Sequence, residues 1–135
     1  MVKLLTPSSI ASPASRYSHG AEVGPNARWL HVSGQVGTNA DGSIAEGLEA
    51  QLHRVWANTL AVLEEGGMGV KDIVKVNTLL TDRDQLKMMR DIRDSYLGDH
   101  AAASTLFVVA GLAHPDWLVE METIAAQDAR GKHRQ

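Results

Sequence analysis

Apolar positions alternate, or recur at helical spacing, in eight separate stretches of the chain. Residues 2–5 are short and apolar, are followed by Pro7-Ser8-Ser9, and predict an edge strand ahead of a loop. That loop, residues 8–15, is rich in Ser, Ala and Pro. Residues 17–23 and 29–36 predict two further strands, joined by a turn at Gly24-Pro25-Asn26. In the second of these, a period of two places Trp29, His31 and Ser33 on one face and Leu30, Val32 and Gly34 on the other. It ends in Ser33-Gly34-Gln35, where a glycine admits close approach of another backbone or a ligand. Asn39-Ala40-Asp41-Gly42 is a turn signal.

From residue 48 to 65 the period changes. Leu48, Leu52, Val55, Trp56, Thr59, Leu60 and Leu63 recur at steps of three and four, which predicts a helix with one apolar stripe, stopped by Gly66-Gly67. Residues 73–80 are apolar and β-branched, as in a buried strand. Thr81-Asp82-Arg83-Asp84 offers N-caps for a second helix over 84–97, whose core side is Leu86, Met89, Ile92 or Arg93, and Tyr96, with Gly98 as its stop. Residues 105–109 and 117–125 predict the last two strands, joined by a loop containing His114-Pro115-Asp116. Two amphipathic helices and six strands are satisfied by an α+β fold, a six-stranded mixed sheet with both helices on one face. In the last strand Trp117, Val119, Met121 and Ala125 share one side, and Leu118, Glu120, Glu122 and Ile124 the other. Neither side is wholly polar, so subunits are expected to bury their sheet faces against one another.

Composition narrows the function classes. A length of 135 residues fits a single domain, 1–135. With no cysteine, disulfides, thiolate nucleophiles and thiolate metal sites are excluded. The six histidines are scattered without zinc-like spacing, and Gly66-Gly67-Met68-Gly69 lacks the lysine and hydroxyl residue of a phosphate loop. Neither a metal nor another cofactor is expected. A net charge of −3 gives no general attraction to phosphate backbones, so no nucleic-acid partner is expected. The one basic cluster, Arg130-Gly131-Lys132-His133-Arg134, reads as a flexible tail over 130–135. No apolar run approaches the ~20 residues of a membrane span. Met1-Val2-Lys3-Leu4-Leu5 is too short for a signal-peptide core, which leaves a cytoplasmic protein as the expectation.

Candidate chemistry is sparse. Glu120 and Glu122 lie two apart on a strand, with Cα atoms ~6.6 Å apart on one face. Either can accept a proton or orient water, and either can pair with a cation at an interface. Ser104 and Thr105 have no Gly-x-Ser-x-Gly elbow, nor an ordered histidine–carboxylate set, to activate them. They read as hydrogen-bonding groups for a ligand or a strand edge. Tyr17 serves equally well at a ligand or at an interface with its hydroxyl satisfied.

Four stretches carry a wider resemblance: Tyr17-Ser18-His19, Val32-Ser33-Gly34-Gln35-Val36, Gly69-Val70-Lys71-Asp72-Ile73-Val74-Lys75, and Leu118-Val119-Glu120-Met121-Glu122-Thr123-Ile124-Ala125. Together they resemble the Rid (YjgF/YER057c/UK114) family over residues 15–126. The resemblance implies a chorismate-mutase-like homotrimer that binds a small-molecule ligand in clefts between subunits. It further implies Glu120 as the group that positions water for hydrolytic deamination of an imine or enamine. Tyr17, Ser33, Gly34, Gln35, Ala103, Ser104 and Thr105 would line the cleft. Family deaminases carry an arginine that grips a substrate carboxylate as a bidentate fork. It would fall at Ala103, or at Ala101 in a subset resembling Arg-Pro-Ala-Ser-Thr, and both are alanine here. Related C–N hydrolysis on a substrate without a carboxylate suits that change. A second reading is a trimer that binds metabolites or proteins and has lost the enzyme. A third, the ribonuclease activity attributed to some relatives, is disfavoured by the acidic charge.

Overall fold

Residues 2–129 are described by the structure, a computed structural model; Met1 and the expected tail over 130–135 lie outside the described residues. The strands are β1 (Val2–Leu5), β2 (Gly20–Val23), β3 (Ala27–Val36), β4 (Ile73–Leu80), β5 (Ala103–Val108) and β6 (Val119–Asp128). The helices are α1 (Leu48–Glu65) and α2 (Leu86–Leu97), the latter entered through a 3₁₀ turn, Arg83–Gln85, where the Asp82 carboxylate accepts the Asp84 N–H. The second helix therefore begins two residues later than the cap pattern predicts. No helix among the described residues is long and apolar enough to cross a membrane.

The architecture is α+β, with one change to the expected single sheet. Four strands form a mixed sheet in the order β3-β6-β4-β5, with β4 and β5 parallel, and β1 and β2 pair separately as an antiparallel ribbon. An isolated bridge from Ser18 to Ala103, with the Ser18 N–H donating to the Ala102 carbonyl at 3.3 Å, carries the ribbon side of the chain to the β5 edge. The strand expected over 17–23 is correspondingly shorter. Tyr17 precedes it in irregular chain.

Register fixes the two faces of the sheet. Val76, Thr78 and Leu80 of β4 pair with Thr123, Met121 and Val119 of β6, and all six are buried on the helix side. α1 contributes Leu52, Val55, Trp56 and Leu63 to this core, and α2 contributes Met89, Ile92 and Leu97. Trp56 is 1% exposed and stacks on Tyr96 of α2 with ring centroids 5.5 Å apart. Burial on that scale stabilises by about 3 kcal/mol. The end of α1 follows from its glycines: Met68 N–H reaches the Leu63 carbonyl and Gly67 N–H the Glu64 carbonyl, with Gly67 at φ +74. This paired closure requires a left-handed residue, which glycine adopts without steric cost.

The opposite face carries Lys75, Asn77 and Leu79 of β4 beside Ala103, Thr105 and Phe107 of β5 and Ile124, Glu122 and Glu120 of β6. No element of the described chain packs over it as a layer. Trp29 and Phe107 are 52% and 51% exposed.

Candidate functional site

Strand β3 is not regular through its Ser-Gly-Gln segment. Val32 pairs with Thr123 and Gln35 with Met121, so Ser33 and Gly34 together oppose the single residue Glu122 in a bulge. The extra residue reverses the expected alternation. Gly34 joins Val36 on the open face instead of sharing a face with Leu30 and Val32. Gln35 turns toward the helix side and donates its side-chain amide to the Ser33 carbonyl at 3.1 Å.

The bulge makes room for Glu120. A Cβ built on Gly34 would lie 2.9 Å from Glu120 Cδ, 3.1 Å from Cγ, and closer still to one carboxylate oxygen. Gly34 is not in the left-handed region, so the glycine is required here by close approach. What comes close is the Glu120 side chain. Its carboxylate has no hydrogen-bond or ion-pair partner among the described residues, whereas Glu122 accepts the Asn77 side-chain amide at 2.9 Å. Two carboxylates at alternate positions of one strand thus have different states: one tied to the sheet, the other free to bind. Ser33 is exposed and shares a shallow depression of ≈200 Å³ with His31 and Glu122.

The remaining expected residues divide between the two faces. Ala103 and Thr105 share the open face with Glu120, but Ala103 pairs with Lys75, and Lys75 with Ile124, four residues along β6 from Glu120. Two strand spacings and four residues of rise separate Ala103 from Glu120 by about 16 Å. Ser104 pairs with Val76 and faces the helices. It lines a cavity of ≈160 Å³ together with Tyr17, Arg90 and Arg93. One subunit therefore brings Glu120, Ser33 and Gly34 together, and Tyr17 with Ser104, as two separate groups.

Reading the sequence did not single out Lys75. Its one signal is a charge inside the otherwise apolar run of β4, and the register sets it directly beside Ala103 without a paired carboxylate among the described residues. Arg16, Arg28 and Arg93 each have their own attachment away from Ala103. Arg16 donates to the Gly98 carbonyl at 2.8 Å and lies 3.6 Å from Asp94. Arg28 bonds the Gly66 carbonyl and the Gln127 side chain, both at 2.8 Å. Arg93 bonds Asp94 at 3.0 Å.

The family model described as Endoribonuclease L-PSP matches residues 8–127, nearly the whole described chain. The chain belongs to the Rid family. A RutC family protein of Pyrococcus abyssi is 33% identical over 118 residues, covering 86% of this chain and 90% of that one. The solved structure of the Rid family protein YyfB from Yersinia pestis superposes with a TM-score of 0.84 at 30% identity, over 93% of this chain and 98% of that one. A Salmonella typhimurium protein named 2-iminobutanoate/2-iminopropanoate deaminase is 26% identical, over 94% of this chain and 99% of that one. The Rid assignment accounts for the mixed sheet, both helices and their order in the chain.

Proposed function

We propose that this Rid protein assembles as a homotrimer whose intersubunit clefts bind a small metabolite and hydrolyse its C–N bond, with Glu120 positioning the water. An imine or enamine is the first substrate class. Glu120 accepts a proton from water as its oxygen bonds to the imine carbon; the nitrogen gains protons and leaves as ammonia, and a carbonyl compound remains. The observation that carries this reading is the unpaired Glu120 carboxylate seated over Gly34 on an open sheet face. The relative named as a deaminase lends the reaction class.

The 16 Å estimated between Ala103 and Glu120 supports a shared cleft, since a small molecule reaches both positions only if a neighbouring copy contributes one of them. The half-exposed Trp29 and Phe107 on the same face favour coverage by such a copy. Tyr17, Ser33, Gly34, Gln35, Ala103, Ser104 and Thr105 are the proposed lining. Gln35 contributes through its backbone, its side chain being turned away.

The test is ammonia release from freshly generated 2-iminopropionate, for the unmodified protein and for Glu120→Gln. Acceleration that disappears in Glu120→Gln is expected; undiminished turnover in that variant overturns the mechanism. Alanine at both 101 and 103 favours one second reading, a trimer that binds a metabolite without turning it over. Saturable binding with no chemical change in any imine would establish that reading instead.

A further inference from the structure

A groove of ≈560 Å³ lies between the start of β1, the 3₁₀ turn Val70–Asp72 and the C-terminal end of α2. Its apolar wall is Val2, Val70 and Leu97 together with the ring of Tyr96. That ring is fixed at two points. It stacks on the buried Trp56 with centroids 5.5 Å apart, and its hydroxyl meets His53 Nδ1 at 2.7 Å. His100, also in the wall, is fixed as well: its Nε2 lies 2.7 Å from the Ile73 carbonyl, which can only accept. Nε2 therefore carries the proton, and Nδ1 of the neutral ring is left as an acceptor. Two side chains of opposite charge, Lys71 and Asp99, complete the lining. Both are exposed, no ion pair joins them, and neither has another partner among the described residues. Asp72, next to Lys71, is engaged elsewhere, by the Gly69 N–H at 2.9 Å and the Gln127 side chain at 3.3 Å.

We propose that this groove binds a free α-amino acid with a bulky apolar side chain. An apolar wall bordered by two unpaired charges of opposite sign complements a zwitterion. The Lys71 ammonium takes the ligand carboxylate, while the Asp99 carboxylate and His100 Nδ1 accept from the ligand ammonium. A ligand with a single charge satisfies one side of this arrangement, and a neutral ligand satisfies neither. The volume falls within the range of about 300–1,000 Å³ typical of small-molecule sites. The Tyr96 ring favours a flat apolar side chain, since aromatic pairs add to the gain from area burial alone. With Tyr96 and His100 already fixed, little freedom is lost when the ligand enters. An occupant touches both Val2 of β1 and Leu97 of α2, so it also clamps the ribbon to the helical layer. None of these residues lines the cleft proposed for the reaction, so the two proposals stand or fall separately.

The test is a titration of the full chain followed by the backbone amide resonances of Lys71, Asp99 and His100. Three compounds are compared: L-phenylalanine, 3-phenylpropionate, which lacks the ammonium group, and phenethylamine, which lacks the carboxylate. Saturable shifts centred on those three residues are expected for L-phenylalanine, with both analogues at least about fivefold weaker. Lys71→Met is expected to weaken L-phenylalanine about fivefold and to leave phenethylamine unchanged. Asp99→Asn is expected to weaken L-phenylalanine similarly and to leave 3-phenylpropionate unchanged. Both side chains are exposed, so neither variant threatens folding. Equal affinity for the three compounds would overturn the proposal. So would the absence of saturation below about 50 mM, or shifts centred on Lys75 and Glu120 of the open face.

Discussion

Substituting alanine at Gly34 tests the seat of Glu120 without touching its charge. The backbone there is outside the left-handed region, so the new residue brings no dihedral strain. The added Cβ instead falls 2.9 Å from Glu120 Cδ and 3.1 Å from Cγ, well inside the carbon–carbon contact distance of about 3.5–4.0 Å. Glu120 relieves the clash by moving about 1 Å or more, because it is the far end of a flexible chain while β3 is held by its pairing with β6. The stability cost is small, since the change also removes about 0.4–1 kcal/mol of unfolded-state entropy. The catalytic cost is not small: displacement of a reacting group by about 1 Å costs on the order of a hundredfold in rate. Gly34→Ala is therefore expected to melt within a few degrees of the unmodified protein and to release ammonia from 2-iminopropionate about a hundredfold more slowly. Combining it with Glu120→Gln should add almost nothing to the loss in Glu120→Gln alone, because both act through one carboxylate. A folded Gly34→Ala protein with unchanged turnover would refute the assignment of Glu120, and so would additive losses in the double variant.

Other consequences are open to measurement. Gln51 is 1% exposed and ties three backbone groups, donating to the Ala45 and Asp116 carbonyls at 3.0 and 2.8 Å and accepting the Leu118 N–H at 2.8 Å; Gln51→Leu should cost about 3 kcal/mol in denaturant unfolding. Trp56→Ala removes a stacked core side chain and should cost about 3–5 kcal/mol by the same assay, and a loss below 1 kcal/mol would contradict the packing described. Gly67→Ala forces a side chain into φ +74 and should cost about 1 kcal/mol. Ala103→Arg adds a bidentate cation to the open face and should raise turnover of carboxylate-bearing imines relative to neutral ones, measured as a ratio of kcat/KM values.

Regular elements were the legible part of this chain. The α1 stripe and its glycine stop, and the apolar run of β4, are local periodicities, and the structure reproduces both spans residue for residue. What escaped depends on pairing between distant segments. The bulge at Ser33 and Gly34 has no periodic signature, because it exists only relative to Glu122, so the alternation rule put Gly34 on the wrong face. The division of six strands into four and two is likewise a matter of long-range hydrogen bonds. Arg93 stood beside Ile92 as an alternative core residue, and both are buried; only the fold shows that the guanidinium opens into a cavity with Tyr17 and Ser104. Gln51 is buried on the core side of α1 but is not among the apolar positions that the helical spacing marks. Its three backbone partners come from two loops that the helix approaches only in the folded protein.

The ribbon of β1 and β2 has a kinetic consequence. With one backbone bridge between Ser18 and Ala103, and side-chain ties from Arg16 to Gly98 and Asp94, linking this side of the chain to the rest, the ribbon can detach while the layer of β4 and β6 under α1 stays intact. Amides of β1 and β2 should then exchange with solvent through a low-energy opening, and those of Val76 and Thr123 only on global unfolding. Because Ser15 and Tyr17 lie on the segment leading into that ribbon and line the cavity beside Arg93, each such opening also loosens one wall of that cavity.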